Sequence, residues 1–206
     1  MQSGAYVFTI FFLTIDPIKT LPAFAKITHS MPLELKRDIA IRATLIAGFI
    51  CIFVALLGEG MLRKYRISLE AVEIAAGIVL LLSALKAVFP TVQPSNPPPS
   101  QPTAMQLAIS PVASPIIVPP IGIAAILIFI VLAPRYPGMY AAIVQSLAIM
   151  LALNFLVMFF LDRIIKLPGL MLVLQVFGAA LVFFQVALSI EIILVALRTL
   201  GVVRLT

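Results

Sequence analysis

Uncharged apolar stretches recur along the chain at Met1 to Ile15, Ala43 to Leu57, Ile74 to Leu85, Ile116 to Ala133, Met139 to Leu161 and Leu167 to Ile190, and every charged residue lies between or beyond them. A spanning helix needs about 20 largely apolar residues. The last three stretches come close to that length. The first three are shorter, and flanking polar residues complete them by reaching toward the interfaces. The pattern predicts an all-α membrane protein with six transmembrane helices.

The first stretch ends unlike the others. In "FFLTIDPIKTLPAF", Phe11 to Phe24, an apolar run meets a carboxylate, a proline and a second proline five residues on. The residue before a proline is pushed out of the α region, and proline itself fits best at the first position of a helix. Asp and Ser are favoured N-caps because a side-chain oxygen accepts first-turn amide hydrogens. Asp16-Pro17 therefore predicts a new helix start, and Ser114-Pro115 predicts the same in the second half. Residues 5 to 15 rise about 16 Å at ~1.5 Å per residue, about half of the hydrocarbon core, which puts Asp16 near the midplane.

Composition strengthens the membrane assignment. Of 206 residues, 63% are hydrophobic and 11% charged, and the mean hydropathy is +1.20. Soluble domains run near 45 to 50% apolar and about 25% charged. The expected location is the cell membrane, crossed several times. The first 30 residues lack a basic start and a small-residue cleavage site, so they read as a mature helix rather than a signal peptide. The net charge of +6 fits loops facing anionic lipid better than a nucleic-acid partner. Strict alternation of helices puts six basic residues on the N-terminal side and eight on the other, too even for the positive-inside rule to orient the chain. Cys51, the single cysteine, reads as a small buried hydrophobe.

The segment "PTVQPSNPPPSQP", Pro90 to Pro102, is uncharged and holds six of the sixteen prolines. It is neither helix nor buried strand. The expected organisation is a three-helix repeat over 1–89, a linker over 90–104 and a second repeat over 105–206. Three crossings reverse the chain's direction, so the two repeats would be inverted. Asp16-Pro17-Ile18 with Pro22 aligns at constant offset with Ser114-Pro115-Ile116 with Pro120, and "IAAGIVLLLSAL" aligns more loosely with "VFGAALVFFQVAL". A broken helix in each half of an inverted repeat is an arrangement that secondary transporters use for a midplane site.

Non-helical backbone at that depth persists only when buried in protein or facing water. Half-helix N-termini at Pro17 and Pro115 could attract a carboxylate, and Asp16 could pair with an ammonium or carry a coupling proton or sodium ion. Against this stands plain capping by Asp16 and Ser114, with Lys19 one turn later as Asp16's ion-pair partner. A carboxylate at mid-membrane costs at least ~2.5 kcal/mol, and Ser or Asn would cap as well, which tilts Asp16 toward function. Gln145, Asn154, Gln175 and Gln185 read as interhelix hydrogen-bonding groups. Asn154 and Gln185 are the deepest, and the ones placed to line a path. Glu59 with Arg63 and Asp38 with Arg42 are helix-surface pairs, Glu70 and Glu73 follow the cap Ser68, and Glu191 belongs near Arg198. Gly48, Gly58, Gly77 and Gly178 read as close-packing positions. His29 is the only histidine and sits in a loop with Lys26, so neither a metal cluster nor a catalytic triad can be built around it. No cofactor is implied.

"IDPIKTLPAF", "LKRDIAIRATLIA", "LLGEGML", "IAAGIVLLLSAL" and "PVASPIIVPPIGIAAI" resemble the successive motifs of MarC-type six-helix membrane proteins, also grouped as neutral amino acid transporters. In the first motif Asp16, Pro17, Ile18 and Pro22 match; in the second, Pro111, Ala113, Pro115, Pro120 and Ile123. Lys19, Pro119 and Ile121 stand where the family has glycines, and Ala76 replaces one of a glycine pair. The resemblance implies the fold more strongly than the cargo. The function expected is a non-enzymatic secondary transporter or exporter of small zwitterionic solutes, amino acids first, sited at Asp16, Pro17, Ser114, Pro115, Asn154 and Gln185. The alternative is a membrane structural or partner-binding protein without a transport cycle. A lipid-modifying enzyme lacks any His, Cys or paired-carboxylate constellation. A homodimer is compatible with so small a chain.

Overall fold

The computed structural model describes residues 2–89, 103–166 and 169–202, and every regular element among them is helical. The helices are α1 (Gln2–Thr14), α2 (Pro17–Thr28), α3 (Leu33–Lys64), α4 (Leu69–Val88), α5 (Ala104–Leu107), α6 (Pro120–Leu132), α7 (Met139–Phe159), α8 (Leu161–Ile164) and α9 (Leu170–Thr199). Five stretches are long and apolar enough to cross a membrane, the first being Gly4–Thr28 across the α1/α2 break. A sixth arises if Ala104–Ile117 and Pro120–Arg135, bent by 60°, form one span. Asp16 stands in the middle of the span Gly4–Thr28.

The second break differs from the expected one. Between α5 and α6 the chain winds in wide turns interrupted by extended backbone at Ser110 (φ −142°, ψ 126°) and Ser114 (φ −141°, ψ 125°), each before a proline. Ser114 has the backbone of a cap but caps nothing continuous. The long helix starts only at Pro120, after Pro119 in extended conformation. Four prolines within ten residues remove the amides that would let a helix restart earlier. Residues 90–102 of the expected linker lie outside the described residues. Its last two positions, Thr103 and Ala104, open α5, where Thr103 and Gln106 form a reciprocal capping box.

Packing crosses between the halves. The α1/α2 span lies against α7, the segment from α5 to α6 lies against α3, α3 touches α7, and α4 runs along α9. The core holds Phe11, Ile15, Phe24, Ile117, Ile126 and Met150. Outward, Phe49, Leu56, Phe183 and Phe184 are each more than half exposed. A soluble monomer rarely tolerates apolar patches on that scale, whereas lipid tails match them.

The expected surface pairs form, Arg42 to Asp38 at 2.8 Å, Arg63 to Glu59 at 2.5 Å and Arg198 to Glu191 at 3.5 Å. Ser68 Oγ accepts the Ala71 amide as the cap of α4. A Cβ on Gly77 would sit 2.8 Å from the Ser189 carbonyl, and one on Gly58 would collide with the Leu127 side chain. Gly48 makes only an ordinary contact with Leu151, and a Cβ on Gly178 would meet nothing within 4 Å among the described residues, so no packing there requires a glycine.

Candidate functional site

The break at Asp16 is built from three neighbouring elements. Asp16 Oδ1 accepts the amides of Ile18 at 2.9 Å and Lys19 at 3.3 Å, capping α2, and Pro17 at the first position has no amide to satisfy. These choices orphan three carbonyls of the first span. Leu13 would have bonded to the amide that Pro17 lacks, and Thr14 and Ile15 to the Ile18 and Lys19 amides that Asp16 has taken. Gln185 of α9 donates to the Leu13 carbonyl at 2.5 Å, and Asn154 of α7 donates to the Ile15 carbonyl at 3.3 Å. Asn154 also donates to Met150 and accepts from Thr20 Oγ1 at 2.5 Å. Irregular backbone at membrane depth requires such replacement partners.

The second oxygen of Asp16 is different. Among the described residues Oδ2 has no hydrogen-bond partner, and it is buried on a side chain 5% exposed. Lys19 Nζ lies 3.9 Å away, in ion-pair range but beyond a hydrogen bond. That ammonium donates instead to Gln185 Oε1.

Oδ2, Lys19 and Gln185 belong to a cavity of about 190 Å³ that Thr14 and, from the second break, Pro115 and Pro119 also line. At ~30 Å³ per water it has room for about six. Two further cavities adjoin it. One of about 140 Å³ shares Thr14 and Ile121 with it and carries Glu73 and Glu191. The other, about 330 Å³, shares Lys19 and is lined by Pro22 and Gly178.

Of the six positions expected from sequence, Asp16, Pro115 and Gln185 line the central cavity. Pro17 is buried behind the cap, Ser114 is half-buried beside the cavity, and Asn154 is occupied by Ile15, Thr20 and Met150 rather than lining the cavity. The half-helix amides expected at Pro17 to hold a carboxylate are already engaged, those of Ile18 and Lys19 bonding to Asp16. Where the second long helix starts instead, at Pro120, the amides of Gly122 and Ile123 bond to the Pro119 carbonyl. Lys19 is the cation that remains. Its place in the cavity was signalled only by its spacing of three from Asp16, and Thr14 and Thr20 only by being the polar residues nearest the break. Gln145 faces outward, and nothing is described of the Gln175 side chain. Among the described residues no three His, Cys, Asp or Glu are grouped to hold a metal ion.

Residues 1–200 match the family described as MarC family integral membrane protein. The chain belongs to the MarC family. Similar curated proteins include a UPF0056 membrane protein of Buchnera aphidicola subsp. Schizaphis graminum, 32% identical over 84 residues, or 41% of this chain and 43% of that one. A UPF0056 membrane protein of Methanocaldococcus jannaschii is 36% identical over 89 residues, 43% of each chain. The UPF0056 inner membrane protein YhgN of Escherichia coli K12 is 33% identical over 79 residues, 38% of this chain and 40% of that one. These matches span less than half the length of the curated relatives. No solved structure matches the chain. This MarC protein is thus an integral, multi-pass membrane protein.

Proposed function

We propose that this MarC protein is a secondary transporter or exporter of small zwitterionic solutes, neutral amino acids first, and not an enzyme. The observation that carries the reading is the cavity between the two breaks, where a buried carboxylate oxygen with no hydrogen-bond partner among the described residues faces an ammonium 3.9 Å away. A zwitterion presents the reverse pair. The solute ammonium goes to Asp16 Oδ2, its carboxylate to Lys19, and Gln185 supplies an amide to either. Lys19 thereby takes the role that half-helix ends play in other carriers. Asp16 is also the group to hold a coupling proton or sodium ion.

The adjoining cavities on either side support access from both membrane faces. The crossed packing supports an inverted repeat: the first segment of each half lies on the second segment of the other, and the third segments pair with each other. A structural protein without a transport cycle would have no use for a carboxylate left facing a cavity. The test is flux of labelled glycine, alanine and serine into proteoliposomes, with and without a proton or sodium gradient. At least one should exceed empty vesicles; no flux for any of them would sink the proposal.

A further inference from the structure

Where α3 ends and α4 begins, Arg63, Arg66 and Arg135 rim a cleft of about 470 Å³ together with Glu59. Arg63 is committed to Glu59 at 2.5 Å. Among the described residues Arg66 and Arg135 form no ion pair, so two guanidinium groups, from the turn after α3 and the turn after α6, are free at the rim. Below the rim the walls turn apolar. Leu62 and Ile67 line both this cleft and a second one of about 270 Å³, which continues between α4 and α6 past Val72, Val79 and Ile123. Small side chains on α4, Ala71 and Ala75, keep that groove open. The cationic mouth and the apolar groove are therefore contiguous, with the charge at the helix ends and the grease toward their middles.

We infer that this is a binding site for one anionic phospholipid, its headgroup phosphate at Arg66 and Arg135 and one acyl chain in the groove. Guanidinium groups match phosphate oxygens with paired hydrogen bonds. Basic pockets between helices at a membrane face suit anionic headgroups. A free phosphate would use only the mouth and leave the apolar groove unfilled, whereas a lipid tail gains from burial there. A choline headgroup would bring a cation toward the two unpaired arginines. The site shares no residue with the Asp16 cavity and stands whether or not the protein transports amino acids.

Native mass spectrometry of the full chain in detergent, titrated with dioleoyl phosphatidylglycerol and dioleoyl phosphatidylcholine, tests it. Phosphatidylglycerol should bind about 30-fold more tightly, the factor that two basic residues give at ~1 kcal/mol each. The Arg66→Ala/Arg135→Ala variant should lose that preference, and Ala75→Trp, at an exposed groove position, should weaken both lipids. Circular dichroism checks that each variant is folded. Equal affinity for the two lipids, an unchanged preference in the double variant, unchanged binding in Ala75→Trp, or displacement of phosphatidylglycerol by inorganic phosphate would each overturn the inference.

Discussion

Replacing Asn154 with Leu tests how the broken first span is held. Asn154 is fully buried, and a leucine of similar size fills its space. The loss is polar and can be followed group by group. Thr20 Oγ1 keeps a second acceptor, the Asp16 carbonyl at 3.2 Å, and Met150 has its own helical bond within α7. The Ile15 carbonyl keeps nothing, because the Lys19 amide is held by Asp16. One buried unpaired carbonyl costs about 1–3 kcal/mol. Hydrogen bonds between membrane helices average only ~0.6 and reach ~1.7 kcal/mol. The expected loss is therefore about 1–2 kcal/mol, read as a shift in reversible unfolding by dodecyl sulfate in mixed micelles. Gln145→Leu, an outward-facing amide on the same helix, should cost nothing. A loss under ~0.3 kcal/mol for Asn154→Leu, or equal losses for the two, would refute the assignment of Asn154 to the broken backbone.

Gly77→Ala should destabilise by ~1–3 kcal/mol, because its Cβ meets the Ser189 backbone at 2.8 Å and α9 must shift to relieve it. Gly178→Ala should be neutral or stabilising by up to ~1 kcal/mol, having open space and a helical position; the same unfolding assay compares them. Cys51, 3% exposed, should resist maleimide until dodecyl sulfate unfolds the protein, and rapid stoichiometric labelling of the folded protein would contradict its place in the core.

The first break was legible because its chemistry is local. An Asp before a proline both ends one helix and caps the next, and Asp16 does so with the two amides that capping predicts. The second break was only half legible. Ser110 and Ser114 are extended as residues before proline should be, yet the helix restart lay further on, at the Pro119-Pro120 pair, a signal weaker to the eye than the Ser-Pro match with the first half. What the sequence could not reveal were the partners across the fold. Gln185 meets Leu13 and Lys19, and Asn154 meets Ile15, over separations of 139 residues or more. Periodicity marks these amides as polar groups inside apolar helices, and only packing says which carbonyl each one serves. Gly178 is a further case: a glycine in a membrane helix suggests a neighbour, and among the described residues none lies within 4 Å.

In the proposed transport reading, Asp16 and Lys19 together receive a zwitterion. Asn caps a helix as Asp does, so Asp16→Asn removes the charge while keeping the break, and Lys19→Met keeps the stem without the ammonium. Labelled alanine uptake into proteoliposomes, measured for the wild type and both variants, separates recognition from capping. Uptake is expected for the wild type, with a fall of at least about tenfold, ~1.4 kcal/mol, in each variant. Uptake undiminished in Asp16→Asn would return that carboxylate to a capping role and refute zwitterion recognition there.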